Sequence, residues 1–107
     1  MNKNLKNFQA FNLAKSSYRS CLQLKLPRHL KDQLLRAVSS SALNLAEGSA
    51  RRTLPDKRKF YNISMASIRE AQSILILADL EGCDAEIILD QTAACVFKLL
   101  QTYGENC

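Results

Sequence analysis

Apolar residues in this chain recur at three- and four-residue steps almost from end to end. That spacing places side chains on one face of an α-helix. From about Asn4 to Lys25 the positions are Phe8, Phe11, Ala14, Tyr18, Cys21 and Leu22. Pro27 ends this helix, because proline lacks the amide donor and pushes Leu26 out of the helical region. The same proline suits the first position of a second helix, running to Ala46 or Glu47. Its stripe is Leu30, Leu34, Ala37, Val38, Ser41 and Leu45, widened by Leu35 and Leu43, which predicts a mostly buried helix. Gly48 is the expected left-handed stop.

The one real loop is 49–56, SARRTLPD. Thr53 and Asp56 read as a helix-start box with Pro55 inside the first turn. The third helix spans about Pro55 to Leu80, with Phe60, Ile63, Ser67, Ala71, Ile74, Leu75 and Ala78 facing in, and Glu81-Gly82 ends it. The fourth runs from Asp84, read as its cap, to about Tyr103, with Gly104 after it. Its inward set is Ile87, Ile88, Ala94, Cys95, Leu99 and Tyr103. No segment alternates with the period of a strand. Four helices of about 20 residues with short links favour antiparallel neighbours. The predicted fold is all-α: one domain over 1–107, an up-down-up-down antiparallel four-helix bundle.

Composition narrows this further. At 107 residues and 47% hydrophobic, the chain can build one modest core and is not broadly disordered. No apolar run reaches a membrane span. The start, MNKNLKNFQAFN, lacks a signal-peptide core, so a cytoplasmic protein with no membrane partner is expected. Cys21, Cys83, Cys95 and Cys107 show no C-x-x-C spacing and do not cluster with His29. They are read as three half-buried thiols and a loose terminal one, with no disulfide framework, metal site or cofactor.

Charge is unevenly spread. Residues 1–60 hold 13 Lys and Arg against 3 Asp and Glu; residues 61–107 hold 2 against 7. The net +5 therefore hides +10 in one part and −5 in the other. Such a split fits a polyanion partner, head-to-tail contact between unlike surfaces, or plain solubility.

Segment 33–52, QLLRAVSSSALNLAEGSARR, is polar where a buried helix should be apolar. Buried polar groups need partners. Arg36, Ser40, Asn44 and Glu47 step along one side of the helix, and Glu47 or Glu70 could pair with Arg36 or with a neighbouring subunit's arginine. A network fixing helix register or an oligomer interface outweighs a catalytic carboxylate pair, because the chain has one histidine and no nucleophile with a base. The run Ser39-Ser40-Ser41 has no activating partner and reads as close helix packing. No phosphate loop or dinucleotide fingerprint is present. A non-enzymatic protein is expected.

The basic loop is the strongest functional candidate. Residues 51–59, RRTLPDKRK, hold five basic side chains and one acidic one beside a helix N-terminus. Arg51, Arg52, Lys57, Arg58 and Lys59 are the expected contacts to an RNA or DNA backbone, followed by Lys15 and Arg19 on the first helix. Few aromatics are available for base stacking, so binding should be led by phosphates and weakly selective. The plain alternative is a solvated helix start.

Gln33-Leu34, Arg36-Ala37, Ser40, Asn44, Ala46-Glu47-Gly48 and Arg51 follow a segment of the form Q-L-x-R-A-x-x-S-I-x-x-N-I-A-E-G-x-x-R. Phe60, Ser67 and Glu70 follow F-x-x-x-A-x-G-S-x-x-E. In these patterns the chain resembles the 23S rRNA intervening-sequence proteins, which are similar to the Avd-like accessory proteins of diversity-generating retroelements. It departs from them at Ser41 and Leu45 (usually Ile), Ala42 (commonly Pro), Ala66 (usually Gly), Gln72 (commonly Glu) and Phe11 (usually Trp), while Ala14 matches. The link around Pro27 is shorter than usual. The resemblance covers nearly the whole chain. It implies a four-helix bundle assembling as a homopentamer, in its best-studied branch a basic, nucleic-acid-binding partner of a reverse transcriptase. A pure protein–protein scaffold is the alternative.

Overall fold

The three- and four-residue periodicity becomes four helices. The computed structural model describes residues 3–102. A 3-10 turn at Lys3–Asn7 precedes α1 (Gln9–Leu22), α2 (Arg28–Ser49), α3 (Leu54–Leu77) and α4 (Asp84–Gln101). Each helix packs on its chain neighbour, and α1 also packs on α4, so the four close into a bundle. At about 1.5 Å per residue the longer helices run most of the molecule's 40 Å length. None of the described helices is long and apolar enough to cross a membrane.

The core contains Leu34, Val38, Leu45, Tyr61, Ile68, Leu75, Leu89, Val96 and Leu99, with Ala10, Ala14, Ala37, Ala71, Ala85 and Ala93 between them. Small residues set the helix phases. In α1 the buried face is Ala10, Ala14, Ser17 and Cys21, while Phe11 sits at the margin and Leu22 is exposed. In α3 the buried positions are Tyr61, Ser64 and Ile68 where the sequence suggested Phe60 and Ile63. In α4 Ala93 and Val96 face in, whereas Ile87 and Ala94 face out. Ala and Ser let helices approach closely; bulky aliphatics at one remove then fall on the outer surface.

Several helix ends differ from expectation: α1 spans only Gln9–Leu22, and Pro27 is the cap before α2 rather than its first residue. Gly48 lies inside α2 without a positive φ. A Cβ there would stand 2.7 Å from Tyr61 Cε1 and 3.1 Å from Phe60 Cβ, so glycine is required by the approach of α3. Helix α3 stops at Asp79, which takes the left-handed conformation at φ 58°. The Leu80 amide donates to the Leu75 carbonyl at 2.9 Å and the Asp79 amide to Ile76 at 3.1 Å, the paired bonds of a Schellman stop. Asp84 is the first residue of α4 and Cys83 its cap; Glu86 instead accepts the Gly82 amide at 2.6 Å.

The buried hydroxyls are satisfied across helix seams. Ser17 meets Thr92 at 3.2 Å between α1 and α4, and Ser64 donates to the Ser41 carbonyl at 2.9 Å between α3 and α2. Cys21 and Cys83 are free thiols. Cys95 is disulfide-bonded where the sequence predicts a thiol. A bridge depends on where sulfurs meet in the fold, which spacing along the chain does not encode. Tyr103, Gly104 and Cys107 lie outside the described residues.

Candidate nucleic-acid interface

One end of the bundle gathers the turn between α2 and α3, the start of α1 and the end of α4. Phe8, just before α1, packs on Tyr61 with ring centroids 6.2 Å apart. Arg58 Nη1 donates to the Leu100 carbonyl near the end of α4. Lys6, Arg51, Arg52, Lys57, Arg58, Lys59 and Lys98 therefore share this end, where the carboxylates among the described residues are Glu47 and Asp56.

The turn is built by its own sequence. Thr53 caps α3 by accepting the Asp56 amide at 3.3 Å, and Pro55 occupies the first turn, as expected. The cations divide by role. Lys57 Nζ donates to the carbonyls of Gly48 (3.3 Å) and Ser49 (3.1 Å), covering the open C-terminal end of α2 where the helix dipole is negative. Arg58 does similar work at the end of α4. Arg51 forms an ion pair with Glu47, one turn earlier, at 2.5 Å, and its Cζ lies 4.6 Å from the Phe60 ring centroid. Lys59 Nζ lies 5.7 Å from the same ring and remains exposed. Arg52 is exposed and makes no hydrogen bond or ion pair with the described residues. Of the five expected phosphate ligands, Arg52 and Lys59 are open, Arg51 is shared, and Lys57 and Arg58 are engaged at helix ends.

Lys15 and Arg19 are exposed on α1 but belong to a different surface. Lys15 lines a shallow groove with Phe11, Tyr18, Ser39, Ala42 and Leu43. The groove continues past Tyr18 to Asp32, Leu35, Arg36, Ser40 and Asn44. The outer face of α2, expected to be buried, is thus open: Arg36 and Glu47 are exposed and Leu43 is 67% exposed. With α3 on one side and α1 on the other, it stays open among the described residues.

The polar set of α2 is only partly joined. Asn44 Nδ2 donates to the Ser40 carbonyl at 2.8 Å, and Ser67 Oγ meets Ser40 Oγ at 2.9 Å, linking α2 to α3. Arg36 has no ion pair among the described residues; Glu47 takes Arg51 instead, and Glu70 is exposed. The Glu47–Arg51 pair joins the last turn of α2 to the turn that follows it, because Arg51 lies beyond the helix end at Ser49. Phe60, read as core, is half-buried and lies against Arg51 and Lys59 instead.

Two buried groups have shifted titration, both outside the basic end's charge cluster. Burial, then the neighbouring Cys83, pushes the Cys21 thiol up from 9.0 to about 11. Burial raises the Tyr61 phenol. No group of three or more His, Cys, Asp or Glu among the described residues could hold a metal ion.

The two sequence patterns therefore meet in space. Glu47, Gly48 and Arg51 of the first touch one another or Phe60 of the second, and Ser40 of the first binds Ser67 of the second. No curated protein and no solved structure matches the chain. A family model does match it, over residues 3–100, and by that match the chain belongs to the 23S rRNA-intervening sequence protein family.

Proposed function

We propose that this protein is a non-enzymatic accessory factor that binds the backbone of RNA or DNA through the basic end of its bundle. The observation that carries this is the clustering of seven cations at one end, where the described residues include two carboxylates, Glu47 and Asp56, and where Arg52 and Lys59 are exposed to solvent. Lys57 and Arg58 add potential from their places at helix ends, though they are poorer direct ligands. Binding of this kind displaces counterions, so affinity falls steeply with salt. In the same reading the chain works as a homo-oligomer, a pentamer by resemblance, which would repeat the basic end around a ring and present it to a nucleic-acid-handling partner such as a reverse transcriptase.

Anisotropy titrations against RNA, duplex DNA and single strands at several salt concentrations test the proposal. Binding at low salt that weakens with salt, and that is lost in Arg52→Glu/Lys59→Glu, supports it. No binding at low salt sinks it. The open groove beside Leu43 favours a second reading, a pure protein–protein scaffold, which predicts that same null result together with self-association.

A further inference from the structure

We infer that Arg51 is a stacking platform for an unpaired base, so that the basic end prefers single-stranded nucleic acid to duplex. The inference rests on the nucleic-acid reading above and adds the class of substrate.

Arg51 is held from two sides. Its Nη2 donates to Glu47 Oε2 at 2.5 Å, from α2, and its Cζ lies over the Phe60 ring at 4.6 Å, from α3. A free arginine side chain loses considerable rotamer freedom on binding. Here two contacts restrict that freedom before any ligand arrives, which is what preorganisation contributes to affinity. Yet the side chain stays 41% exposed, at the surface rather than sealed between the two helices.

The Glu47 carboxylate offsets the charge of Arg51, which makes it a weak point ligand for phosphate. What it retains is a flat, weakly hydrated surface of the kind that stacks on π systems. Cations for the flanking phosphates stand beside it: Arg52 is next in the chain, and Lys59 lies 5.7 Å from the same ring. The arrangement is a plane with charge on its flanks, the elements that single-strand binding surfaces combine. A duplex hides its base faces within its own stack and offers only phosphates and groove edges. A single strand offers the faces themselves. The same contacts read as mere α2–α3 packing predict no preference between strand forms.

The test compares a short mixed-sequence oligonucleotide, single-stranded and annealed, at one low salt concentration. The expected single-strand affinity is about tenfold above the duplex, the lower part of the range for one stacked base. Arg51→Lys keeps the charge and removes the plane; it should bring the single strand down to the duplex level, with a much smaller effect on the duplex. Arg52→Gln should weaken both forms alike. A fluorescent purine analogue in the single strand should be quenched by the wild type and not by Arg51→Lys. Phe60→Leu should behave like Arg51→Lys, and the surface variant keeps the test decisive if Phe60→Leu fails to fold. Equal binding of both forms, or equal loss of both in Arg51→Lys, overturns the platform and leaves the backbone-binding reading standing. No binding of either form overturns both.

Discussion

Gly48 shows how much one missing methyl group can hold. A side-chain carbon there would stand 2.7 and 2.9 Å from the Tyr61 ring, and that ring is itself buried, so it has nowhere to go. Gly48→Ala gains helix propensity, about 1 kcal/mol, but forces α2 and α3 apart. Overpacking of this kind costs about 1–3 kcal/mol, so a net loss in urea denaturation midpoint is expected. An unchanged or raised midpoint would mean that Tyr61 can move. Asp79 presents the opposite case. It adopts a left-handed conformation that glycine takes without strain. Asp79→Gly should raise stability by about 0.5–1 kcal/mol, read by the same denaturation. Cys21 gives a pH signature. Its thiol is pushed up to about 11 in the folded chain from 9.0. Between those values the unfolded chain has lost the proton and the folded chain keeps it, so stability should fall as pH rises from 9 to 11. Cys21→Ala should flatten that decline, whatever it costs in packing at neutral pH.

At the scale of the elements, the sequence carried the number of helices, their order and their approximate spans. The Thr53 cap marked its break well because it acts locally, whereas α1 ends at Leu22, before Pro27, and Pro27 caps α2 from outside rather than starting it. Phase was harder. In α1, α3 and α4 large aliphatics such as Leu22, Ile63 and Ile87 were read inward, yet the buried faces are led by Ala10, Ala14, Ser17, Ser64 and Ala85. Periodicity counts apolar positions; it does not register how closely two backbones can approach. The site shows the same limit. Five cations in nine residues were legible as a basic cluster, but their division was not, because Lys57 and Arg58 find carbonyls on other helices. That division yields a prediction. Lys57 closes the end of α2 through Gly48 and Ser49. Lys57→Met keeps most of the stem and removes the charge, and should cost about 0.5–1 kcal/mol in denaturation. Arg52→Met, at a position with no hydrogen bond or ion pair to the described residues, should cost close to nothing. Equal effects from the two would remove the distinction drawn between engaged and open cations.

For the molecule as a whole, exposed apolar side chains occur in the groove and also across the outer faces of α3 and α4. In the groove, between α1 and α2, Leu43 is 67% exposed beside Phe11 and Tyr18 and under Lys15 and Arg36. On α3 and α4, Ile76 is 52%, Leu77 72%, Ile87 51% and Phe97 56% exposed, in the part of the chain that carries the excess of Asp and Glu. A two-fold contact through the groove would set Lys15 and Arg36 of one copy against the same cations of another. A heterologous contact pairs the basic groove with the acidic flank, and such contacts generate rings when the rotation closes. The proposed homo-oligomer is therefore expected to join unlike faces and to loosen with salt. Leu43→Lys places a charge in the groove without touching the core, since Leu43 is mostly solvent-facing in the isolated chain. It should leave helix content by circular dichroism unchanged and shift sedimentation from an assembly to the single chain. Arg36→Glu should weaken assembly too, and adding a second reversal on the acidic flank, Asp90→Lys, should restore part of it. A wild-type chain that sediments as a monomer at every concentration would refute the assembly and leave the groove as a site for some other partner.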